Sequence, residues 1–437
     1  MARTIGRIGL VVSFVAIGGC KSDSTQPGNN AISVSVATAS TSLEVNQSVT
    51  VTATIKDANG APLTDRTVTW ASSNISIATV VADAITAPSG TQTAQVQAIA
   101  PGSVTISATV SGGSGTLALT VVAGTAQRPQ AFIRSAQGAM VAITELSGVT
   151  SSYASAINDV GQVVGSIHIG SVDHAFIWSA ASGMVDIGVL PGFVHSSAGW
   201  INNSGVVVGW SSTASGSVSH AFRWSATTGM TDLGVLAGTD ESFAYGINSA
   251  GQIVGETYTI ATTIRRPFRW TEAKGMEDIG ALTGDPAGGA YSVNDDGSIV
   301  GFSTTAAYRS GPVRAIQWTP AGVKTMISDC SGSPCYAAAN GINKSGQVAG
   351  TRQNVGFVWT AAGGPVDLAG LPGAQFTEAT ALNDAGQVIG YSHIALNYRS
   401  FLWTPAAGFV DLGLLPGKTW TVATAINNLG QIVGYGQ

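Results

Sequence analysis

The stretch Ala154-Ser-Ala-Ile-Asn158-Asp-Val-Gly161-Gln-Val-Val-Gly165 decides the fold, because its pattern occurs seven times. The shared pattern is A-x-x-[IVL]-N-x-x-G-x-[VI]-x-G, and successive copies lie 40 to 49 residues apart. A fixed period of this length marks an array of similar supersecondary units. The repeated asparagines are Asn158, Asn202, Asn248, Asn294, Asn343, Asn383 and Asn427. The alanines four positions earlier are Ala154, Ala198, Ala244, Ala290, Ala339, Ala379 and Ala423.

Each copy of the pattern predicts a tight antiparallel hairpin. An asparagine at the first turn position accepts a backbone hydrogen bond, and a glycine three residues later takes the left-handed conformation. A second hairpin precedes each copy, as in Ala175-Phe-Ile-Trp-Ser179 followed by Asp186-Ile-Gly188. Four strands in 40–49 residues form a propeller blade, whereas a β-solenoid coil needs only about 20–30 residues. We therefore predict an all-β chain with a seven-bladed β-propeller of four-stranded blades over residues 124–437.

The small repeated alanine indicates which strand lies nearest the propeller axis, where space is most restricted. If that strand is innermost, each blade begins at the alanine motif and ends with the first two strands of the next unit. The last motif, 421–435, then lacks its outer hairpin, and the hairpin 131–146 lacks an inner one. We predict that these two segments complete one blade, which removes open sheet edges.

The repeats resemble the extracellular repeat family named HAF, after the tripeptide that stands here as His174-Ala175-Phe176 and His220-Ala221-Phe222. The resemblance covers residues 130–437. It implies a secreted or surface protein of undefined biochemical activity, and it provides no catalytic residues to carry over.

Residues 31–123 show period-2 alternation in several short segments, for example Val49-Thr-Val-Thr-Ala-Thr-Ile55 and Val104-Thr-Ile-Ser-Ala-Thr-Val110. This pattern is typical of a β-sandwich. The stretches 43–53, 68–74, 77–80 and 98–102 resemble the group 2 bacterial immunoglobulin-like domain. This resemblance implies a spacer or an adhesive module and makes Trp70 a core residue on a central strand. Cysteines occur only outside this segment, so it has no inter-sheet disulfide.

The first twenty residues have the features of an export signal. Arg3 and Arg7 precede a ten-residue apolar run that is too short to span a bilayer. The segment Ile17-Gly-Gly-Cys20 resembles the lipobox of bacterial lipoproteins, which implies cleavage after residue 19 and lipid attachment at Cys20. A plain secretory signal is the alternative. Residues 20–30 contain almost nothing apolar and are predicted to be a flexible tether. The membrane, reached through this anchor, is thus an expected partner, and the outer membrane or cell surface the expected location.

Composition and motifs exclude several classes of function. Charged residues make up 10% of the chain, the net charge is -5, and no basic run is present, so nucleic acid is not expected as a partner. The sequence has no nucleophile elbow, P-loop or zinc motif, and we expect no cofactor, no metal and no catalytic residues.

The recurrent Asp186, Asp232, Asp278, Asp367 and Asp411 occupy one place in each unit and are predicted to form turns. His174 and His220 are expected to bond to a neighbouring blade. Cys330 and Cys335 are predicted to form a disulfide, because the protein is exported.

Aromatic residues that break the repeat are the predicted ligand-binding residues, together with one histidine. They are Phe193, His195, Trp200, Trp210, Phe302, Tyr391, Trp420 and Tyr435. Aromatic platforms among hydroxyl-rich loops suit a glycan or a protein ligand. We therefore predict a non-enzymatic binding or adhesion module. The alternatives are a polysaccharide-active hydrolase or lyase with its site in the central channel, and a purely structural envelope protein. The sequence leaves the oligomeric state open.

Overall fold

The computed structural model describes residues 32–44, 48–83, 90–122, 128–305, 311–329 and 336–437. The chain divides into two compact units, Met1–Ala126 and Gln127–Gln437, and all regular elements in the described ranges are β-strands. In these ranges, no helix has the length and apolar character needed to cross a membrane. The predicted all-β fold class is confirmed.

The first unit is a sandwich of two four-stranded sheets. One sheet has the order β1-β3-β6-β5 and the other β2-β8-β7-β4. The strands are β1 (Ser33–Thr38), β2 (Ser42–Glu44), β3 (Ser48–Lys56), β4 (Thr69–Ser72), β5 (Ala78–Ala82), β6 (Thr91–Ala98), β7 (Gly102–Val110) and β8 (Gly113–Val122). Alternate residues of these strands are buried, and Val51, Val96 and Ile106 lie at the centre of the core.

Trp70 packs against this core but does not lie on a central strand as predicted. It belongs to β4, which pairs only with β7 at one edge of its sheet among the described strands. The side chain is half-buried, because an edge strand is covered on fewer sides than a central one.

The second unit contains seven four-stranded sheets within its described residues, which we number as blades 1 to 7. Blades 1 to 3 consist of β11 (Val149–Ile157), β12 (Val163–Ile169), β13 (Val172–Ser179) and β14 (Gly183–Gly188); β15 (His195–Ile201), β16 (Val207–Ser212), β17 (Ser219–Ser225) and β18 (Gly229–Asp232); and β19 (Glu241–Ile247), β20 (Ile253–Thr259), β21 (Ile264–Thr271) and β22 (Gly275–Asp278). Blades 4 to 6 consist of β23 (Ala287–Val293), β24 (Ile299–Thr304), β25 (Val313–Trp318) and β26 (Lys324–Ser328); β27 (Ala337–Ile342), β28 (Val348–Arg352), β29 (Val355–Thr360) and β30 (Gly364–Leu368); and β31 (Phe376–Leu382), β32 (Val388–Ile394), β33 (Asn397–Thr404) and β34 (Gly408–Asp411).

Blade 7 is built from distant parts of the chain, as the phasing of the repeat predicts. Its strands are β35 (Thr421–Ile426), β36 (Ile432–Gly436), β9 (Gln130–Arg134) and β10 (Met140–Ala142), in that order. Strand β36 pairs with β9, with Tyr435 opposite Ala131. The predicted completion of one blade by the segments 131–146 and 421–435 is confirmed.

The strand that carries the repeated alanine is the innermost strand of every blade. The first strands of neighbouring blades contact each other around the whole ring, including those of blades 7 and 1. The repeated alanines are fully buried or nearly so. A register shift follows each of them, and this bulge bends the first strand.

The last glycine of the motif and a large third-strand residue form the core of each blade. In blade 3, Gly255 lies opposite Phe268, whose ring occupies the space that a side chain at position 255 would need. Six blades have a fully buried phenylalanine at this third-strand position, and blade 4 has Ile316. Burying a phenylalanine contributes about 1.5–3 kcal/mol, so the pairing of glycine with a large residue stabilises each sheet.

Candidate functional site

The repeated asparagines link the blades into a closed ring. The carboxamide oxygen of Asn158 accepts the N–H of Gln162 at 2.8 Å, which holds the turn, while its Nδ2 donates to the carbonyl of Asn202 at 3.0 Å. The same inter-blade bond recurs from each asparagine to the next, and Asn427 donates to the carbonyl of Asn158 at 3.0 Å. The glycines of these turns have φ between 74° and 81°, as the predicted turn requires. The asparagine is therefore both a turn residue and an inter-blade contact, and the sequence pattern predicted only the first role.

The residues that follow these asparagines form a polar collar around one mouth of the central channel. Asp159 Oδ1 accepts the N–H of Asn428 at 2.8 Å, and its Oδ2 accepts Nδ2 of Asn203 at 2.9 Å. Trp200 lines this mouth, around a cavity of about 180 Å³. The collar's acidic groups are occupied by backbone and amide donors. The described residues contain no group of three or more acidic, histidine or cysteine side chains placed to hold a metal ion.

Four of the five repeated aspartates form turns, as predicted, whereas Asp367 pairs with Arg352 of its own blade at 2.8 Å. Asp186 Oδ1 accepts the N–H of Gly188 at 2.8 Å, and Asp232, Asp278 and Asp411 make the same bond. The prediction for the repeat histidines was wrong, because His174 bonds within its own blade, to Asp186 Oδ2 at 2.7 Å. His220 does the same with Asp232. The reason is the sheet geometry: adjacent third and fourth strands bring the two residues side by side.

Two of the predicted ligand-binding residues, His195 and Trp210, meet in a cavity of about 500 Å³ at the junction of blades 1 and 2. The cavity is also lined by Asp173 and by five serines, Ser166, Ser196, Ser197, Ser212 and Ser215. His195 Nδ1 accepts the backbone N–H of Asp173 at 3.1 Å, so Nε2 carries the proton of the neutral ring and is a donor. The Asp173 carboxylate pairs with His168 through Oδ1 at 2.8 Å and is 56% exposed.

Trp210 also begins an aromatic series that includes Phe302. Its ring contacts those of Phe243 and Tyr245, and Tyr245 contacts Tyr291, which contacts Phe302. Phe302 is fully buried, and in this structure it is a packing residue of blade 4. The series borders Glu256, a fully buried carboxylate bonded to Arg265 and to the Tyr245 hydroxyl. Burial raises the pKa of Glu256 by more than Arg265 and Tyr245 lower it.

Tyr391, Trp420 and Tyr435 meet in a second aromatic group, which also contains Tyr398 and Tyr153. Tyr398 contacts Tyr391 at 5.3 Å and Trp420 at 5.9 Å between ring centroids. Tyr435 contacts Trp420 at 5.9 Å and Tyr153 at 4.9 Å. These rings come from blades 6, 7 and 1, and Glu378 lies among them with its Oε2 accepting the Tyr391 hydroxyl at 2.6 Å. Burial raises the pKa of Glu378 and of Tyr391.

The remaining predicted sites are separate from these groups. Phe193 packs against the core and contacts the His220 ring at 5.3 Å between centroids. Cys20, Cys330 and Cys335 lie outside the described residues, so the predicted lipidation and disulfide stay predictions.

Sequence reasoning missed Tyr398, Tyr153 and Tyr245, although the repeat contains a signal for this face. The position after the motif's last glycine varies strongly while its neighbours repeat. It is occupied by Ser166, Trp210, Glu256, Phe302, Thr351, Tyr391 and Tyr435. In each blade it pairs with the residue before the repeated alanine, as Tyr391 does with Glu378. Variation at one place in a repeat therefore marks the face that differs between blades.

Comparison with known families identifies the first domain. Residues 32–123 match the model of the bacterial Ig-like domain, group 1. This corrects the predicted assignment to group 2. The short stretches on which that assignment depended, such as residues 68–74, did not separate the two groups. No curated protein matches the chain.

Several solved structures are similar to parts of the chain. Domains 4 and 5 of the S-layer protein SbsC are 29% identical, with a TM-score of 0.18, covering 20% of this chain and 51% of that one. The chain thus spans about half of that S-layer structure. Virginiamycin B lyase from Staphylococcus aureus is 11% identical, with a TM-score of 0.43, covering 71% and 100%. A putative TolB from Agrobacterium tumefaciens is 13% identical, with a TM-score of 0.39, covering 71% and 98%. Because none of these TM-scores exceeds 0.43, the function of none of these proteins is assigned to this chain.

The domain match and the repeated sheets define the general class of the protein. A bacterial Ig-like domain and a propeller-type domain indicate a binding or structural module. The Ig-like domain indicates a protein of the cell surface or the extracellular space.

Proposed function

We propose that the protein is a non-enzymatic binding module of the cell surface that recognises a glycan through the cavity between blades 1 and 2. The observation that carries this proposal is the meeting of Trp210, His195 and Asp173 with five serines in one cavity of about 500 Å³. Ligand sites commonly have 300–1,000 Å³ and a few polar groups that fix orientation.

The chemistry of this cavity matches a sugar better than a protein surface. A sugar ring presents an apolar face, which an aromatic ring covers, and a rim of hydroxyls. The half-buried Trp210 supplies the ring, and the His195 Nε2 donor and the Asp173 carboxylate supply opposite hydrogen-bonding roles. Serine hydroxyls both donate and accept, so they suit the same rim.

The test is glycan-array binding by the purified chain, followed by titration of the strongest ligand. Trp210→Ala should weaken binding about tenfold or more, which corresponds to about 1.4 kcal/mol. Asp173→Asn should weaken it by a smaller factor. Trp420→Ala removes an equally large ring that does not line the cavity, and this control should bind like the wild type. Equal binding by the wild type and Trp210→Ala would refute the site, and binding to proteins alone would replace the glycan as ligand.

We also propose that the chain is exported and lipid-anchored at Cys20, held by the tether at residues 20–30. The support is the sequence of residues 1–20, with its basic start, short apolar run and lipobox-like end. Its resemblance to the HAF repeat family agrees with a place outside the cell. Mass spectrometry of the mature protein should find a diacylglycerol-modified Cys20 as the first residue. An unmodified chain that starts elsewhere would leave a plain secretory signal.

A polysaccharide-active enzyme is the second candidate, and one arrangement favours it. Arg265 forms an ion pair with Glu256 and also acts electrostatically on Glu241 of the same blade, and burial is the main cause that raises the pKa of both carboxyls. Carboxyls with raised pKa values are the usual general acids of glycoside cleavage. The test is whether the chain cleaves a polysaccharide that it binds on the array. If Glu256→Gln loses this cleavage but still binds the polysaccharide, the protein is an enzyme.

A further inference from the structure

We propose that the aromatic group of blades 6, 7 and 1 is a second binding site, for a quaternary ammonium ion such as the choline group. We call its six residues the Glu378 cluster: Tyr153, Glu378, Tyr391, Tyr398, Trp420 and Tyr435. The site shares no residue with the glycan cavity, although Tyr153 lies opposite Ser166 of that cavity across β11 and β12.

The cluster combines one carboxylate with five aromatic rings. Glu378 Oε2 accepts the Tyr391 hydroxyl at 2.6 Å, and the rings follow one another in edge-to-face contacts of 4.9 to 5.9 Å between centroids. Aromatic faces attract cations electrostatically within about 6 Å of the ring centroid, and trimethylammonium groups are bound by such rings in other proteins. The carboxylate adds a full negative charge to that field.

Blade 3 shows how this protein neutralises a carboxylate on the same face. There Glu256 is bonded by Arg265, whose guanidinium lies 5.6 Å from the centroid of the Tyr258 ring. Arg265 lies opposite Tyr258 on the neighbouring strand, and Tyr258 is three residues after the motif's last glycine. The same register position in blade 6 is Tyr398, which pairs with His393.

Blade 6 thus has a tyrosine where blade 3 has its cation. Among the described residues no lysine, arginine or histidine forms an ion pair with Glu378, whose only hydrogen bond there comes from Tyr391. A carboxylate that has one hydrogen bond among aromatic rings is unfavourable unless it takes up a proton or a counter-charge is supplied. A bound organic cation would supply it, as Arg265 does for Glu256.

The composition of the cluster also selects the type of cation. Small metal ions need several oxygen ligands, and the described residues provide no such group of carboxylates. An anion would be repelled by Glu378. A quaternary ammonium donates no hydrogen bonds and needs only aromatic faces and a negative charge. Tyr398 is 37% exposed, and Trp420 and Tyr435 are half-buried, so solvent reaches the cluster.

The test is calorimetric titration of the purified chain with choline and with 3,3-dimethylbutan-1-ol, which has the same shape but no charge. Choline should bind in the millimolar range or tighter, and the neutral analogue at least about tenfold more weakly. Glu378→Gln and Trp420→Ala should each weaken choline binding by a similar factor. Trp210→Ala, the variant that tests the glycan cavity, should bind choline like the wild type.

A second variant, based on the arrangement in blade 3, tests the proposal even if Glu378→Gln alters folding. Tyr398→Arg gives the cluster an attached cation at the position of Arg265, so it should abolish choline binding while the thermal unfolding temperature stays the same or rises. Equal affinity for choline and its neutral analogue, or unchanged choline binding in folded Glu378→Gln, would overturn the proposal. Whether or not choline binds, loss of glycan binding in Trp210→Ala would still support the glycan cavity.

Discussion

The repeated asparagine shows how one side chain can fix both a turn and an assembly. Asn294 Oδ1 accepts the N–H of Ser298 at 2.9 Å, and its Nδ2 donates to the carbonyl of Asn343 in the next blade at 3.1 Å. The residue is 7% exposed, so water does not readily replace either partner. A buried backbone group that loses its partner costs about 1–3 kcal/mol.

We therefore expect Asn294→Ala to lower the stability of the propeller by about 1–3 kcal/mol. Asn294→Asp keeps the acceptor but loses the donor and sets a carboxylate against the Asn343 carbonyl, so it should also destabilise. Thermal unfolding followed by circular dichroism measures both effects. Asn397→Ala, at an exposed position of β33, is the control. If Asn294→Ala unfolds at the same temperature as this control, the inter-blade asparagine bonds do not stabilise the propeller as proposed.

Glu378 gives the stability of the propeller a defined pH dependence. Burial raises the pKa of its carboxyl, and the Tyr391 hydrogen bond offsets this only in part. The folded protein therefore binds the proton more tightly than the unfolded chain, where a glutamate titrates near about 4.3. The stabilisation is complete below that pH and is lost as the pH rises through the raised pKa.

Glu378→Gln fixes a neutral side chain, so its stability should fall less than that of the wild type as the pH rises above about 4.3. Chemical unfolding at a series of pH values measures the difference. Asp296→Asn is the control, since that side chain is exposed. If the wild-type and Glu378→Gln curves run parallel across this range, the carboxyl is not perturbed as described.

At the scale of elements, the glycine that ends the motif is required by space rather than by backbone conformation. A Cβ at Gly255 would lie 1.9 Å from the carbonyl oxygen of Phe243 and 2.7 Å from the Phe268 ring. Neither neighbour is a flexible chain end, so the blade would have to open. We expect Gly255→Ala to cost about 3 kcal/mol or more.

Thermal unfolding and soluble yield of Gly255→Ala measure this effect. Gly363→Ala is the matched control, because a Cβ there meets only the Thr360 hydroxyl, at 3.0 Å. Similar stability of the two variants would mean that the first strand moves aside more easily than the geometry indicates.

The elements were predictable from sequence because each depends on neighbouring residues. The Asn–Gly turns, the alternating strands and the inner position of the alanine strand all follow from spacing within one repeat. The bond from Asn158 to Asn202 and the meeting of Glu378 with Tyr435 do not, since they depend on how separate blades are placed in the ring. Trp210 and His195 were predicted individually, but their shared cavity with Asp173 appears only in the structure.

For the propeller as a whole, one junction holds the two ends of the ring together. Between blades 7 and 1, Thr424 Oγ1 donates to the carbonyl of Ala154 at 2.9 Å, and Asn427 Nδ2 donates to that of Asn158 at 3.0 Å. Within blade 7, β36 joins β35 to β9. The Glu378 cluster also crosses this junction, through Tyr153 and Tyr435.

Deletion of residues 421–437 removes the two inner strands of blade 7 and therefore opens the ring. Strand β9 loses its partner β36, and unpaired edges promote aggregation. Blade 1 loses the hydrogen bonds that it accepts from Thr424 and Asn427. We expect a lower unfolding temperature, soluble oligomers in size-exclusion chromatography and no choline binding. A synthetic peptide of residues 419–437 added during refolding should restore the monomeric elution volume and the thermal transition, because β36 then pairs again with β9. A scrambled peptide of the same composition should restore neither. A truncated chain that remains monomeric with the transition of the intact protein would show that six blades are stable without this closure.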